Sequence, residues 1–299
     1  MTAEFYLIAE SFAENSALSK EEIENKTKSL ATDFTYIKQY GATNKLLVNP
    51  NMYNVKFIEN ITISDLLFNT DIANKHLDRD VRNALKKIII EQETTDITTK
   101  DVKEVLLLEH NESLCHGLIG FNLVNGINPD FQVVYHIKGW FDFRRYYLGL
   151  YPKNAGFFIE ECKKYFPKLF FHERNKTSIN SILSTCPKKI IYHLSALNDK
   201  FKESFAQGNR TEVLEHFSTN TSLDEIASLE GDARRKPNFT FLFKNVDNVD
   251  ESVCCEPHLK LCYSDLSTAY STDRRIYFHE GKSNIQGGKI LIGHIGNHL

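Results

Sequence analysis

Residues 274–299 read RRIYFHEGKSNIQGGKILIGHIGNHL. Two apolar runs, RRIYFHE (274–280) and GKILIGHIG (288–296), flank a segment that Gly287 and Gly288 are placed to turn, so the stretch is expected to be a hairpin. Side chains alternate across a strand. In the first run alternation puts Arg275, Tyr277 and His279 on one face and Ile276 and Phe278 on the other. In the second, Ile290, Ile292 and His294 are expected to share a face opposite Leu291 and Ile295. The chain then closes on G-H-I-G-N-H-L. Glycine and histidine stabilise a strand poorly, so this ending points to a site or a close backbone approach.

Outward from the hairpin, two further runs have strand composition: FTFLFKN (239–245) and VCCEPHLKLCY (253–263). With the hairpin they predict a small antiparallel sheet of four strands. The charged, turn-forming LEGDARRKPN (229–238) precedes them and marks the expected boundary. The N-terminal side reads mainly as helix. Ser19 and Glu22 form a capping-box pair ahead of Ile23, Leu30, Phe34 and Ile37, and Gly41 ends that helix. Helical stripes recur at about 78–92, 99–109 and 188–206, and Ser222 with Glu225 predicts a short helix in SLDEIASL. Strands are expected at 4–9, within 45–72 ahead of a brief helix near SDLLF, and within 114–137, the last interrupted by a turn at NGINPD (125–130). The fold class is therefore α+β, with a mostly helical region 1–233 and a β-rich subdomain 234–299.

At 299 residues, with 41% apolar and 25% charged residues and a net charge of −3, the composition is that of a soluble globular protein. It excludes a globally basic nucleic-acid coat but not a local basic groove. The start MTAEFYLIAE lacks a basic leader, and no apolar run nears the roughly 18 residues of a membrane helix. The expected location is cytoplasmic, without a membrane partner, and the six cysteines are then expected to be reduced.

Four of the eleven histidines, His258, His279, His294 and His298, fall in the last 42 residues. If the terminal strands pair, Arg275, Tyr277, His279 and His294 line one surface, which is either a solvated sheet face or a site. Cys255, His258 and Cys262 offer zinc-type ligands. Read on one continuous strand, however, same-face ligands lie too far apart for one ion, and no metal or other cofactor is implied. Asp265 with Glu280-Gly-Lys282 gives a D…E-x-K pattern that resembles the PD-(D/E)xK type of metal-dependent nuclease, in which carboxylates would hold Mg²⁺ and the lysine would stabilise charge at phosphate. The same E-x-K recurs at Glu24–Lys26 and Glu161–Lys163. WFDFRRYY (140–147) interleaves aromatics with arginines, but Trp140, Phe143, Tyr147 and Leu150 fall on one helical stripe and read as core. Cys186 sits at a helix start, where a thiol can be acidified.

Lys260, followed by Arg275-Ile-Tyr-Phe and the closing G-K-I-L-I-G-H-I, resembles the last strands of the RelE/ParE/HigB-like small toxin fold over about 65 residues. The resemblance implies metal-independent cleavage of messenger RNA, or poisoning of gyrase, by basic and aromatic side chains. On matching positions Lys260 and Arg275 would clamp phosphate, with Arg274 and His258 beside them. His279, His294, His298 and Tyr277 would be the acid and base candidates. Histidine, with an ordinary pKa near 6.5, can serve in either role. The first expectation is thus a nucleic-acid-directed effector, a ribonuclease acting on RNA or a related nuclease acting on DNA. The second is a non-catalytic interaction protein whose terminal sheet meets a protein partner and whose histidines are structural.

Overall fold

The computed structural model describes all residues except 14, 16–17, 125–131 and 266–269, together with the side chains of 206 and 207. The turn read at 125–130 lies outside the described residues. The chain is α+β and divides into two units, Met1–Arg144 and Arg145–Leu299. The compositional change at 229–238 therefore lies within the second unit.

The first unit runs β1 (Thr2–Leu7), α1 (Lys20–Lys38), β2 (Asn44–Val48), β3 (Lys56–Ile58), β4 (Ile61–Thr62), α2 (Ile63–Phe68), α3 (Thr70–His76), α4 (Arg79–Ile89), β5 (Glu93–Thr94), α5 (Thr99–Glu104), β6 (Leu114–Ile119) and β7 (Val133–Val134). The helix α6 (Ile137–Leu150) then carries the chain across the division. Five strands make a parallel sheet in the order β5-β2-β1-β6-β7. Parallel neighbours need crossovers, which α1 supplies between β1 and β2 and α2, α3 and α4 supply between β2 and β5. The chain first builds outward from β1 on one side, then returns to build on the other. That reversal between β1 and β6 makes the sheet doubly wound. Phe5 packs on Phe143 of α6 with ring centroids 4.8 Å apart, while Tyr6 and Ile8 join Val102 and Leu107 in a second cluster. The helix α1 begins with its expected capping box, Ser19 with Glu22. Trp140, Phe143, Tyr147 and Arg144 are fully buried, and Arg144 donates to the Met1 and Thr43 carbonyls. The WFDFRRYY stripe is core.

The second unit continues with α7 (Ala155–Tyr165), β8 (Leu169–Phe171), α8 (Asn175–Ser178), α9 (Pro187–Lys200), α10 (Arg210–Thr221), β9 (Thr240–Lys244), β10 (Asp250–Cys254), β11 (His258–Lys260), β12 (Arg274–His279) and β13 (Ile290–Asn297). The expectations for this unit need three corrections, two of them in the four-strand sheet. The run 253–263 is not one strand: it breaks between Cys254 and His258, around Pro257. Its first half pairs with β9 as a separate hairpin, and its second half pairs with β12. The terminal sheet, ordered β11-β12-β13-β8, also recruits Leu169–Phe171 parallel to β13. Finally, SLDEIASL is not a helix. Ser222 adopts φ +50° and ends α10, whose own capping box is Asn209 with Glu212. Glu225, freed from a capping role, accepts from Lys260 Nζ at 2.9 Å.

Gly287 (φ +64°) and Gly288 (φ +76°) turn the chain into β13 as expected. The alternation expected in β13 does not survive. Tyr277 pairs with His294, but the next residue, Phe278, pairs with Ile292, so Gly293 is an extra residue in a bulge. His294 and Leu291 consequently share Tyr277's side, while Ile292 and Ile295 lie on the side of Phe278 and Ile276.

Candidate functional site

The pairing register places His258, Tyr277 and His294 side by side on three adjacent strands. Tyr277 is the centre of this row. Its ring lies 5.2 Å from that of His258, 6.0 Å from His294 and 6.4 Å from His298, and it stacks at 5.6 Å on Phe239. Arg275 is two residues away on the same side of β12, opposite Lys260 and Gly296. The row is deep: Tyr277 is 0% exposed and His258 and His294 are 4% exposed.

The hydrogen bonds fix how each imidazole is used. His294 Nε2 lies 2.9 Å from the Asn297 carbonyl, so Nε2 carries the proton and Nδ1 the lone pair; that Nδ1 is buried and unpartnered. His258 Nε2 lies 3.2 Å from Ser228 Oγ and Nδ1 3.4 Å from the Glu256 carbonyl. Arg235 approaches His298 Nδ1 at 2.7 Å, and a guanidinium only donates. The His298 proton therefore sits on Nε2, 3.5 Å from Glu230 Oε2. Glu230 Oε1 lies 3.6 Å from Arg235, and Arg235 also donates to the Leu299 carbonyl.

Four buried polar atoms around this row have no hydrogen-bond partner among the described residues: His294 Nδ1, the Tyr277 hydroxyl, Arg275 Nε and Glu230 Oε2. An orphaned buried polar atom costs about 1–3 kcal/mol, so several within one row identify it as the candidate site. Its electrostatics follow from burial. Desolvation, reinforced for His258 by Arg275, pushes His258 and His294 down to about 4. Burial and the Arg235 and Arg275 charges also lower His298, and burial raises Tyr277. At neutral pH the site holds neutral imidazoles, a neutral phenol, two guanidiniums and a carboxylate. Such a set can accept a proton and stabilise an anion.

The remaining sequence candidates fall elsewhere. Arg274 points to the opposite side of β12 and donates to the Cys262 carbonyl. His279 stands at the far end of β12, pairs with Leu291, accepts from the Gly281 amide and lies 3.9 Å from Glu280. Its charged neighbours are Glu280, Arg210 and Lys282. Lys260 lies at the edge of the row, where it is ion-paired to Glu225. The D…E-x-K residues have three different partners. Asp265 accepts from the Lys188 and Lys189 amides, Glu280 pairs with Arg210, and Lys282 pairs with Glu251. Among the described residues no three His, Cys, Asp or Glu side chains are placed to hold a metal ion. Cys186 is not acidified, since burial holds its thiol above the ordinary value.

Sequence reasoning missed Glu230, Arg235 and Ser228. All three lie in or beside the charged segment read as a domain boundary, and no periodicity marks them. The antiparallel bridge between Ser228 and His258 and the contacts of Arg235 and Glu230 with His298 bring that segment to the sheet.

No protein-family model, curated protein or solved structure matches the chain. Among the described residues no helix is long and apolar enough to cross a membrane.

Proposed function

We propose that the second unit is a metal-independent, nucleic-acid-directed ribonuclease whose site is the His258–Tyr277–His294 row with Arg275 and His298. The observation that carries this reading is the unpartnered Nδ1 lone pair of His294 beside the unpartnered Tyr277 hydroxyl and Arg275 Nε. In RNA cleavage His294 Nδ1 takes the 2′-hydroxyl proton, and the 2′-oxygen attacks phosphorus. Arg275 and Arg235 stabilise the charge on the non-bridging oxygens. The bond to the 5′-oxygen breaks, and that oxygen takes a proton from the Tyr277 hydroxyl. The likeness of the terminal strands to RelE/ParE/HigB-like toxins points the same way. Lys260, Arg235 and His298, each roughly 30% exposed along the side chain, form the wetter edge through which a strand would approach.

One observation favours a second reading, a non-catalytic interaction protein: the row is almost fully enclosed. A single assay separates the two. Single-stranded RNA is incubated with the purified chain in excess EDTA, alongside His294→Ala and Tyr277→Phe. The ribonuclease reading expects 2′,3′-cyclic phosphate ends and a loss of about 10²-fold or more in His294→Ala. RNA left intact by the folded wild type, with and without divalent cations, ends it and leaves the interaction reading.

A further inference from the structure

The His258–Tyr277–His294 row crosses the terminal sheet, so it has two ends. Lys260, on β11, stands at one. At the other, β13 pairs with β8, and the His172 amide extends the ladder by donating to the Ile292 carbonyl. The chain then turns into α8, which is tied to β13 on either side of His294. Asn175 donates to the Ile292 carbonyl at 2.9 Å, and Ser178 donates to the Ile295 carbonyl at 2.8 Å.

Arg174 lies in this turn. Its amide donates to His172 Nδ1 at 3.2 Å, and its guanidinium lies over the Phe241 ring, 5.2 Å from the centroid. Arg174 is exposed, and among the described residues its guanidinium has neither an ion pair nor a hydrogen bond. By contrast Lys260 is paired with Glu225, and Arg235 lies 3.6 Å from Glu230. The Arg174 charge reaches the row. Burial lowers His294 most, the Asn297 carbonyl works against it, and the Arg174 charge lowers it further. The neighbouring Asn175 Oδ1 is also buried and unpartnered, so unsatisfied polar atoms continue from His294 to this end.

From β11 to β8 is three strand spacings, roughly 14 Å. One phosphate cannot span that distance, so the cations at the two ends are placed for different phosphates of one strand. The roles at the centre give that strand a direction. His294 takes the proton of a 2′-hydroxyl, which belongs to the nucleotide on the 5′ side of the scissile phosphate. Tyr277 protonates the 5′-oxygen of the nucleotide on the 3′ side. The β8 end of the row is therefore upstream and the β11 end downstream.

Given the ribonuclease reading, on which this rests, we propose that the site cuts internal linkages of single-stranded RNA laid 5′ to 3′ from Arg174 to Lys260. Arg174 holds the phosphate upstream of the scissile one, and Lys260 holds the phosphate downstream. A guanidinium grips phosphate through paired N–H donors, whereas an ammonium serves as a point charge. Contacts of this kind fix position and register and read no base.

The test compares random-sequence RNA hexanucleotides with dinucleotides, neither carrying terminal phosphates, as substrates of the full chain in EDTA. A dinucleotide has only the scissile phosphate, so kcat/KM is expected to be about tenfold or more higher for hexanucleotides. Arg174→Gln, shown by circular dichroism to be folded, is expected to lower kcat/KM about tenfold for hexanucleotides and at most about twofold for dinucleotides. A methylphosphonate removes the charge of one linkage. Placed immediately upstream of the cut, it should reproduce the loss in the wild type and cost Arg174→Gln nothing more. In Lys260→Gln the silent position should be the downstream linkage instead. Dinucleotides cleaved as well as hexanucleotides, or Arg174→Gln cleaving hexanucleotides like wild type, would overturn the proposal and leave the ribonuclease reading standing. An equal loss on both lengths also overturns it. RNA of every length left intact by the folded wild type ends both.

Discussion

Tyr277 and His294 face each other across β12 and β13 because Gly293 drops out of the ladder. A Cβ at position 293 would overlap the Phe241 ring and lie 2.8 Å from Cys255 Sγ. The β9–β10 hairpin therefore sits directly on the bulge, and the bulge sets which residues share Tyr277's side.

Gly293→Ala is accordingly expected to destabilise the chain by about 2–3 kcal/mol, since neither the ring nor the buried thiol has room to retreat. Gly231→Ala is the control, because nothing lies within 4 Å of its Cβ position. Urea denaturation of both variants measures the difference. Equal midpoints would show that the hairpin does not hold the bulge.

The depressed imidazoles make stability depend on pH. His258 and His294 titrate near 4 in the folded chain and near 6.5 unfolded. Above about pH 6.5 both states are neutral and nothing is lost. As pH falls from 6.5 towards 4, only the unfolded chain takes up protons, so stability drops by up to roughly 3 kcal/mol per imidazole. Carboxylates held low by partners, such as Glu225 at about 2 beside Tyr270 and Lys260, begin to lose their contribution only below about pH 4.5. The window between pH 6.5 and 4.5 therefore isolates the histidines. Stability measured across it should fall steeply in the wild type and less steeply in His258→Asn/His294→Asn. Parallel slopes would refute the assignment.

What could be read from sequence follows the range of the forces involved. The capping box at Ser19 and the helical stripes of α1 and α9 are local, and they form where expected. The bulge at Gly293 depends on Phe241 and Cys255, dozens of residues away, and alternation alone cannot report it. The pairing of Leu169–Phe171 with β13 is a non-local match of a short run embedded among helices. Tyr277 and three of the four terminal histidines were singled out from composition and do converge. Glu230 and Arg235 reach them from an irregular segment, through their own contacts with His298 and a bridge from Ser228 to His258.

Arg145 illustrates a buried charge with a structural role. Its side chain is 3% exposed, donates through Nε to the Tyr165 carbonyl and pairs with Asp199 at 2.7 Å. Arg145→Ala takes the guanidinium from the Asp199 carboxylate, which keeps its bond from Asn198, and empties a buried volume, for an expected cost of about 3 kcal/mol. Asp199→Asn keeps an acceptor for the guanidinium and should cost less. Thermal unfolding of the two variants ranks them, and a milder Arg145→Ala would mean that Asp199 is rescued by solvent.

Asp265 allows a metal-dependent nuclease to be told apart from the metal-free reading. Helix α9 starts at Pro187 without a side-chain cap from its own N-cap residue, Cys186. Asp265 supplies one from far along the chain, accepting from the Lys188 amide at 2.6 Å and the Lys189 amide at 3.0 Å. Asparagine caps helices nearly as well as aspartate, whereas alanine does not. Asp265 accepts with one oxygen from each amide, so Asp265→Asn keeps one of the two bonds and should cost less than Asp265→Ala, which loses both and should lower stability by about 1–2 kcal/mol. A Mg²⁺-dependent nuclease built on Asp265 would lose its activity in both variants, because an amide is a poor ligand for a hard cation. If Asp265 only caps α9, RNA cleavage in EDTA by Asp265→Asn matches wild type. Loss of cleavage in a stably folded Asp265→Asn would move the chemistry away from the His294 row.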